Sequence, residues 1–170
     1  MDAQSFAEIQ PDLESRVRRI VWCTVATVDT KGRPRVRILH PMWEGSTAFI
    51  CTGRHSFKEK HLARNPFVSL SYWDAQHEQV YADCHAAWID AAAEKTRVWE
   101  LFKSQPFPYG YDPAMFWPGG PASEDFGVLR CTPWRIALSS MTPAGSDRQV
   151  DALFLFSTTV WRPQSTTVAR

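Results

Sequence analysis

Five runs rich in β-branched and aromatic residues follow one another between Val21 and Asp90, with too little chain between them for parallel crossovers: VWCTVATVD, RPRVRILHP, TAFICT, FVSLSYW and EQVYADCHAAWID. A parallel pair needs a connection of a dozen or more residues, usually a helix, and only SFKEKHLARN, between the third and fourth runs, has helical character. Asp29-Thr30-Lys31-Gly32 joins the first two runs with a terminal glycine that suits a hairpin turn, and Trp43-Glu44-Gly45-Ser46 leads into a third strand of the same meander. Two later runs, FGVLRCTPWRIAL and VDALFLFSTTVW, raise the tally to six or seven strands. Serial strands on short turns predict a mainly β fold, an antiparallel sheet that curls into a barrel with helices at its periphery.

Three helices punctuate this order. Leu13, Val17 and Ile20 recur at helical spacing in an opening helix with Pro11 near its start and its charged residues facing water. SFKEKHLARN is closed by Asn65 and Pro66. AAAEKTRVWELFK carries an apolar face of Val98, Leu101 and Phe102, with Asp90 placed to cap it. Residues 106–123, rich in Pro, Gly and aromatics, form a long loop with too little polar surface for a disordered linker, so it is expected to fold against the body of the protein or a partner.

A chain of 170 residues, 44% of them apolar, can bury a core of its own, so one domain is expected over 1–170, its core at about 20–139 and a late strand at 150–162. Nineteen basic and eighteen acidic residues leave a net charge of +1, which argues against nucleic-acid or membrane partners and makes any anion site local. No apolar run has the length of a signal peptide core or a membrane span. Cys23, Cys51, Cys84 and Cys131 lie scattered in strand-like stretches without CxxC spacing, as buried free thiols of a reducing compartment do, and a cytoplasmic location follows. Cys84 and His85 are adjacent and point to opposite faces of a strand, which spoils chelation, so no metal site is expected.

In RPRVRILHP the period of two puts Arg33, Arg35 and Arg37 on one face, about 7 Å apart. Like charges at that spacing repel, and an anionic ligand would relieve the repulsion; the competing reading is a solvated edge with salt bridges to nearby carboxylates. Ser56 and Glu59 form a capping-box pattern at the start of a helix. Arg54, Lys58 and Lys60 crowd that same end, where free N–H groups already present positive charge. Each such cation is unfavourable by up to roughly 1 kcal/mol, and helix N-termini are ready phosphate sites. Gln79, at the opening of the fifth run, offers a donor and an acceptor that could pair with a heterocycle edge. His40 is a candidate proton donor, although a lone histidine is more often a packed one.

Taken in order, RPRVRIL, AFICTGRHSFKEKHL, NPFVSLSYW, EQV and TPWRI resemble the pyridoxamine 5′-phosphate oxidase-like family of FMN-binding split barrels, over about Trp22 to Ile136. The resemblance implies a split-barrel fold, a cofactor FMN and a homodimer with the flavin at the subunit interface. It implies that Arg35, Val36 and Arg37 meet the FMN phosphate and ring edge, and that Thr52 lies against the flavin. Ser56, Phe57 and Lys58 match the phosphate-binding helix start, and Gln79 a glutamine that contacts the flavin from the other subunit. No cofactor role attaches to Trp134 or Arg135.

The sequence also departs from the true oxidases. Phe57 stands where they usually carry Arg, His40 where they carry Lys, and ALFLFSTTVWRPQSTTVAR lacks their Arg and His one residue apart. The departures argue against vitamin B6 oxidation and place the chain nearer general-stress-protein-like and actinobacterial reductase-like members. A flavin-dependent oxidoreductase acting on a small molecule is the expected function, with no catalytic residue assigned. A flavin-binding or redox-sensing protein without turnover is the alternative, as is a deazaflavin, or less readily haem, in place of FMN.

Overall fold

The computed structural model describes residues 1–143 and 154–164. In chain order its elements are α1 (Phe6–Ile20), β1 (Cys23–Val28), β2 (Pro34–Leu39), β3 (Pro41–Glu44), β4 (Thr47–Gly53), α2 (Phe57–Arg64), β5 (Phe67–Trp73), β6 (Gln79–Trp88), α3 (Ala92–Ser104), β7 (Phe126–Pro143) and β8 (Phe154–Trp161). The strands form one antiparallel sheet in the order β2-β1-β5-β6-β7-β4-β3, with β8 added to β7, and the sheet curls into the expected split barrel. Of the late strand expected at 150–162, residues 150–153 lie outside the described part.

The hairpin forms where its turn chemistry predicts. β1 and β2 pair from Cys23↔Leu39 to Val28↔Pro34, and Gly32, at φ +80°, takes the left-handed position that favours glycine. The Asp29 carboxylate accepts from the Lys31 and Arg33 N–H groups and from the Arg33 guanidinium. The Arg33 guanidinium, first among these, holds the Asp29 carboxyl well below the usual carboxylate range. Arg33 therefore leaves the expected arginine row: it is paired within the turn.

The third strand is not a continuation of that meander. RPRVRILHP is broken at His40, so that β2 stays on β1 while β3 crosses to β4, at the far end of the sheet order. This break supplies one strand more than the expected count. A sheet whose two terminal strands are joined by one residue must curl, because those strands meet at that residue.

Two apolar clusters follow from the curl. Inside the barrel, Leu13 and Val17 of α1 pack with Val25, Trp43, Leu70 and Val80. Outside it, α3 lays Val98, Trp99 and Phe102 over Met42, Phe49 and Phe126. β4 thus buries both faces, Ala48 and Ile50 inward and Phe49 and Cys51 outward. The outer face of β2 is uncovered: Val36 is 67% and Ile38 60% exposed.

Local expectations fail where tertiary contacts prevail. Pro11 lies inside α1, which starts at Phe6 after Ser5, and Arg16 is buried rather than in water. Its guanidinium donates to the carbonyls of Gln79 (2.9 Å) and Ser139 (2.8 Å), so it ties α1 to the strand ends instead of facing solvent. Asp90 does not cap α3; Ala91 holds that position and makes no side-chain bond, and the apolar face uses Trp99 more fully than Leu101. All four cysteines are buried free thiols. Among the described residues no helix is long and apolar enough to cross a membrane.

The core carries one polar tie. Tyr72, wholly buried, accepts a 2.9 Å hydrogen bond from Trp43 Nε1 and thereby links β5 to β3 across the barrel. Tyr72→Phe leaves that indole N–H buried and unpaired, a loss of about 1–3 kcal/mol, to be read as a lower urea midpoint with an unchanged denaturant slope.

Candidate functional site

Residues paired across a rung share a face of the sheet. Arg35 is opposite Thr27, Arg37 opposite Val25 and Leu39 opposite Cys23, and Val25 and Cys23 point into the barrel core. Arg35 and Arg37 therefore share the barrel-facing side of β2 at the end that α2 covers, Arg37 half-buried and Arg35 exposed, while Val36 and Ile38 point out. The arginine pair survives on that side with Arg33 removed from it.

Arg37 is held through one terminal nitrogen. Its Nη2 donates to Thr27 Oγ1 at 2.9 Å, and Thr27 Oγ1 lies 3.0 Å from His61 Nδ1 on α2. A guanidinium can only donate, so the Thr27 oxygen accepts from it, and among the described residues the hydroxyl hydrogen finds its acceptor in His61 Nδ1. A neutral His61 in the Nε2–H form is the tautomer that takes up that hydrogen. The other terminal nitrogen, Arg37 Nη1, is buried and has no partner among the described residues. Burial, and then the Arg35 charge, lower the pKa of Arg37.

At the start of α2 the capping box does not close. The Ser56 hydroxyl donates instead to the Gly53 carbonyl (2.9 Å) and accepts from Lys58 Nζ (2.6 Å). Glu59 binds Arg54 at 2.6 Å, and the Arg54 guanidinium stacks 4.6 Å from the centre of the Trp88 ring. Arg54 is thus compensated, whereas Lys58 is only 8% exposed. Desolvation first, then the Arg37 charge, push its ammonium down to about 8 against the opposing pull of Asp125. Two cations from separate parts of the chain, Arg37 and Lys58, thus come near each other, and on Lys58 the Arg37 charge outweighs the pull of Asp125.

Two clefts lie side by side along β2. The first, about 420 Å³, is lined by Asp29, Thr30 and Arg33 of the hairpin turn and by Arg35, Val36, Arg37, Phe57, Lys60 and His61. The second, about 670 Å³, is lined by Ile38 and His40 of the β2–β3 segment, by Thr52, and by the aromatic loop through Tyr111, Phe116 and Trp117. Lys58, Ser56 and Gly53 form a hydrogen-bonded chain that ends at the wall of the second. The loop folds against the body of the protein as expected, and Gly110 is required in it, since a Cβ there would lie 2.0 Å from the Gln105 carbonyl oxygen.

His40 is a packed residue. Nε2 donates to the Tyr109 carbonyl at 2.8 Å, the ring contacts Trp22, Phe102 and Tyr111, and burial lowers its pKa. A neutral imidazole whose one N–H is tied to backbone is a poor proton donor, so this residue offers an acceptor, Nδ1.

The structure brings together Arg35, Val36, Arg37, Ser56 and Lys58, with Thr52 one step along. Gln79 stands apart. It pairs with Trp73 and Ser139, beyond the Thr24↔Ser71 rung and so at the opposite end of the barrel from Thr27, and its side chain accepts from the Tyr81 hydroxyl. Thr27 and His61 were missed by the sequence reading. The Thr27↔Arg35 rung was available from the hairpin register; His61 carried no signal beyond its place on α2. Among the described residues no group of three or more His, Cys, Asp or Glu could hold a metal.

The profile of the pyridoxamine 5′-phosphate oxidase family matches residues 9–140. The chain belongs to that family. A pyridoxine/pyridoxamine 5′-phosphate oxidase of Bacteroides fragilis is 34% identical over 98 residues, 56% of this chain and 40% of that protein, so the match spans less than half of the curated relative. Among solved structures, a protein related to general stress protein 26 from Clostridium acetobutylicum superposes with a TM-score of 0.65 at 14% identity, covering 77% of this chain and 87% of its own. A pyridoxamine 5′-phosphate oxidase-related, FMN binding protein from Nostoc punctiforme gives a TM-score of 0.60 at 15% identity, over 95% and 100%. Likeness at this identity carries the split-barrel fold.

Thr27→Val removes the oxygen that Arg37 and His61 share. It should lower stability by about 1–3 kcal/mol, because it leaves a second guanidinium nitrogen unpaired. Imidazole nitrogen NMR should find His61 in the Nε2–H form in the parent protein and in mixed tautomers in the variant.

Proposed function

We propose that this protein is an FMN-binding flavoprotein of the pyridoxamine 5′-phosphate oxidase family, a flavin-dependent oxidoreductase acting on a small molecule. The observation that carries the reading is the buried, unpartnered Arg37 Nη1 beside a Lys58 ammonium already pushed down to about 8. A dianionic phosphate fits this pair: it would take the orphaned N–H and restore the lysine charge that burial disfavours.

In this reading Arg35, Arg37, Lys58 and the Ser56 hydroxyl would hold the phosphate, with Thr27 and His61 fixing the Arg37 fork, and Val36 and Thr52 would lie beside the ring. Bound FMN supplies hydride and single-electron transfer. The protein's own part is to orient the ring, to exclude water with the aromatic loop, and to present neutral hydrogen-bonding groups beside it. The active unit is a homodimer in the cytoplasm, in which Gln79 of a second copy reaches the ring, and the FMN-binding split barrel occupies residues 1–170 as one domain.

Native mass spectrometry and visible absorption of freshly purified protein test this together: one FMN per subunit, a dimer mass and a yellow spectrum are expected. A Soret band would assign haem, and a violet-excited fluorescence a deazaflavin. Arg35→Ala with Lys58→Ala should abolish flavin retention while circular dichroism stays that of the parent. Unaltered flavin content would overturn the placement.

The pH dependence has a defined sign. Lys58 is depressed in the ligand-free fold, so a dianion, which favours the ammonium, must recruit a proton above pH 8. Flavin affinity should be greatest below about pH 8 and fall as pH rises beyond it, with proton uptake on binding, while Lys58→Arg flattens the decline. Titrations at fixed ionic strength across that window read this.

A further inference from the structure

The second cleft differs from the first in charge. Of its lining residues only Lys103 is cationic and only Asp112 acidic, and the two lie 4.0 Å apart at the surface. The groups on its inner wall are neutral. His40 is held unprotonated, and burial raises the Tyr111 hydroxyl and the Cys51 thiol above their ordinary values. The rest of the wall is apolar or aromatic: Trp22, Ile38, Met115, Phe116 and Trp117. An anion here would lose its hydration with no counter-charge to replace it, a penalty of several kcal/mol for an unpaired ion.

Hydrogen-bonding capacity is nevertheless present. His40 Nδ1 is an acceptor, because Nε2 carries the hydrogen given to Tyr109. Among the described residues the Tyr111 hydroxyl makes no hydrogen bond, while its backbone N–H bonds to Phe102 and its ring packs on His40 and Phe102. A cleft of about 670 Å³, apolar with a few polar groups, has the size and chemistry of a small-molecule site.

We propose that the second cleft binds an uncharged aromatic compound bearing a hydroxyl or carbonyl group, with its ring among Ile38, Tyr111 and Phe116 and its polar substituent toward His40 and Tyr111. Taken as the substrate of the flavoenzyme, this ligand rests on the proposed function; as a binding site, it stands on the cleft alone. It excludes a phosphate ester from the second cleft, since the one cation among its lining residues, Lys103, is paired with Asp112.

The test uses one ring with and without the charge. Isothermal titration calorimetry of flavin-loaded protein should find 1-naphthol bound at least ten-fold more tightly than 1-naphthyl phosphate. Phe116→Asp, at an exposed position on the cleft wall, should weaken 1-naphthol at least ten-fold with flavin content per subunit unchanged. Met115→Asp, at a more exposed position on the same wall, is the substitute if Phe116→Asp does not fold. Equal or tighter binding of the phosphate, or 1-naphthol affinity unmoved by the aspartate, overturns the proposal. If the purified protein never retains flavin, the proposed function fails by itself. The second cleft is then judged on 1-naphthol binding to flavin-free protein and its loss in Phe116→Asp.

Discussion

The architecture depends on one backbone constraint, the passage from β2 to β3 through a single residue. These strands are consecutive in the chain yet sit at the two ends of the sheet order, so closure of the barrel and the position of His40 are the same fact. Once the strands meet there, His40 is buried, and its Nε2–H fixes the Tyr109 carbonyl and with it the start of the aromatic loop. The loop in turn walls the second cleft. A residue that in sequence looks like a candidate acid is, in the fold, the joint on which the loop hangs.

The same strand divides two chemistries. Toward the hairpin turn β2 presents Arg35 and Arg37 to the barrel end under α2, where Lys58 adds a third cation. Toward His40 it borders a cleft whose inner wall is neutral. Burying Lys58 near the Arg37 charge is unfavourable in itself, since desolvation and that charge lower its affinity for a proton by more than Asp125 restores. Strain of this kind persists where the surrounding structure over-determines it, and it is commonest at binding sites. Here the over-determination is visible: the Thr27 hydroxyl and His61 hold the guanidinium, and Ser56 holds the ammonium.

What could be read in the sequence was what local chemistry decides. The Asp29–Gly32 turn fixed the hairpin, and alternation within β2 separated arginines from aliphatics before any register was known. The crossing at His40 was not legible, because His-Pro in an extended run looks the same whether the next strand pairs with the last or with a distant one. Nor was Arg16, whose helical position reads as solvated until the carbonyls of Gln79 and Ser139 are brought to it. Arg33 was counted with its neighbours because periodicity ignores the turn, where Asp29 claims it. The Ser56–Glu59 pattern located the helix start correctly but not its bonds, since Arg54 and Lys58 offer each side chain a charged partner stronger than a backbone N–H.

Gln79 sets a geometric condition on the proposed site. Within one chain it stands at the far end of the barrel from Thr27, beyond the rung joining β1 to β5, and it lines neither cleft. Its carboxamide can meet a ring that starts at Arg35 and Lys58 only if it comes from another subunit. The outer face of β2, with Val36 and Ile38 uncovered while β4 is covered on both faces, is the apolar surface next to the clefts on which such a subunit would sit. The glutamine and the dimer are therefore one claim: were the flavin-loaded protein monomeric, Gln79 would drop out of the site, and the arginine and lysine pair would remain to hold the phosphate without it.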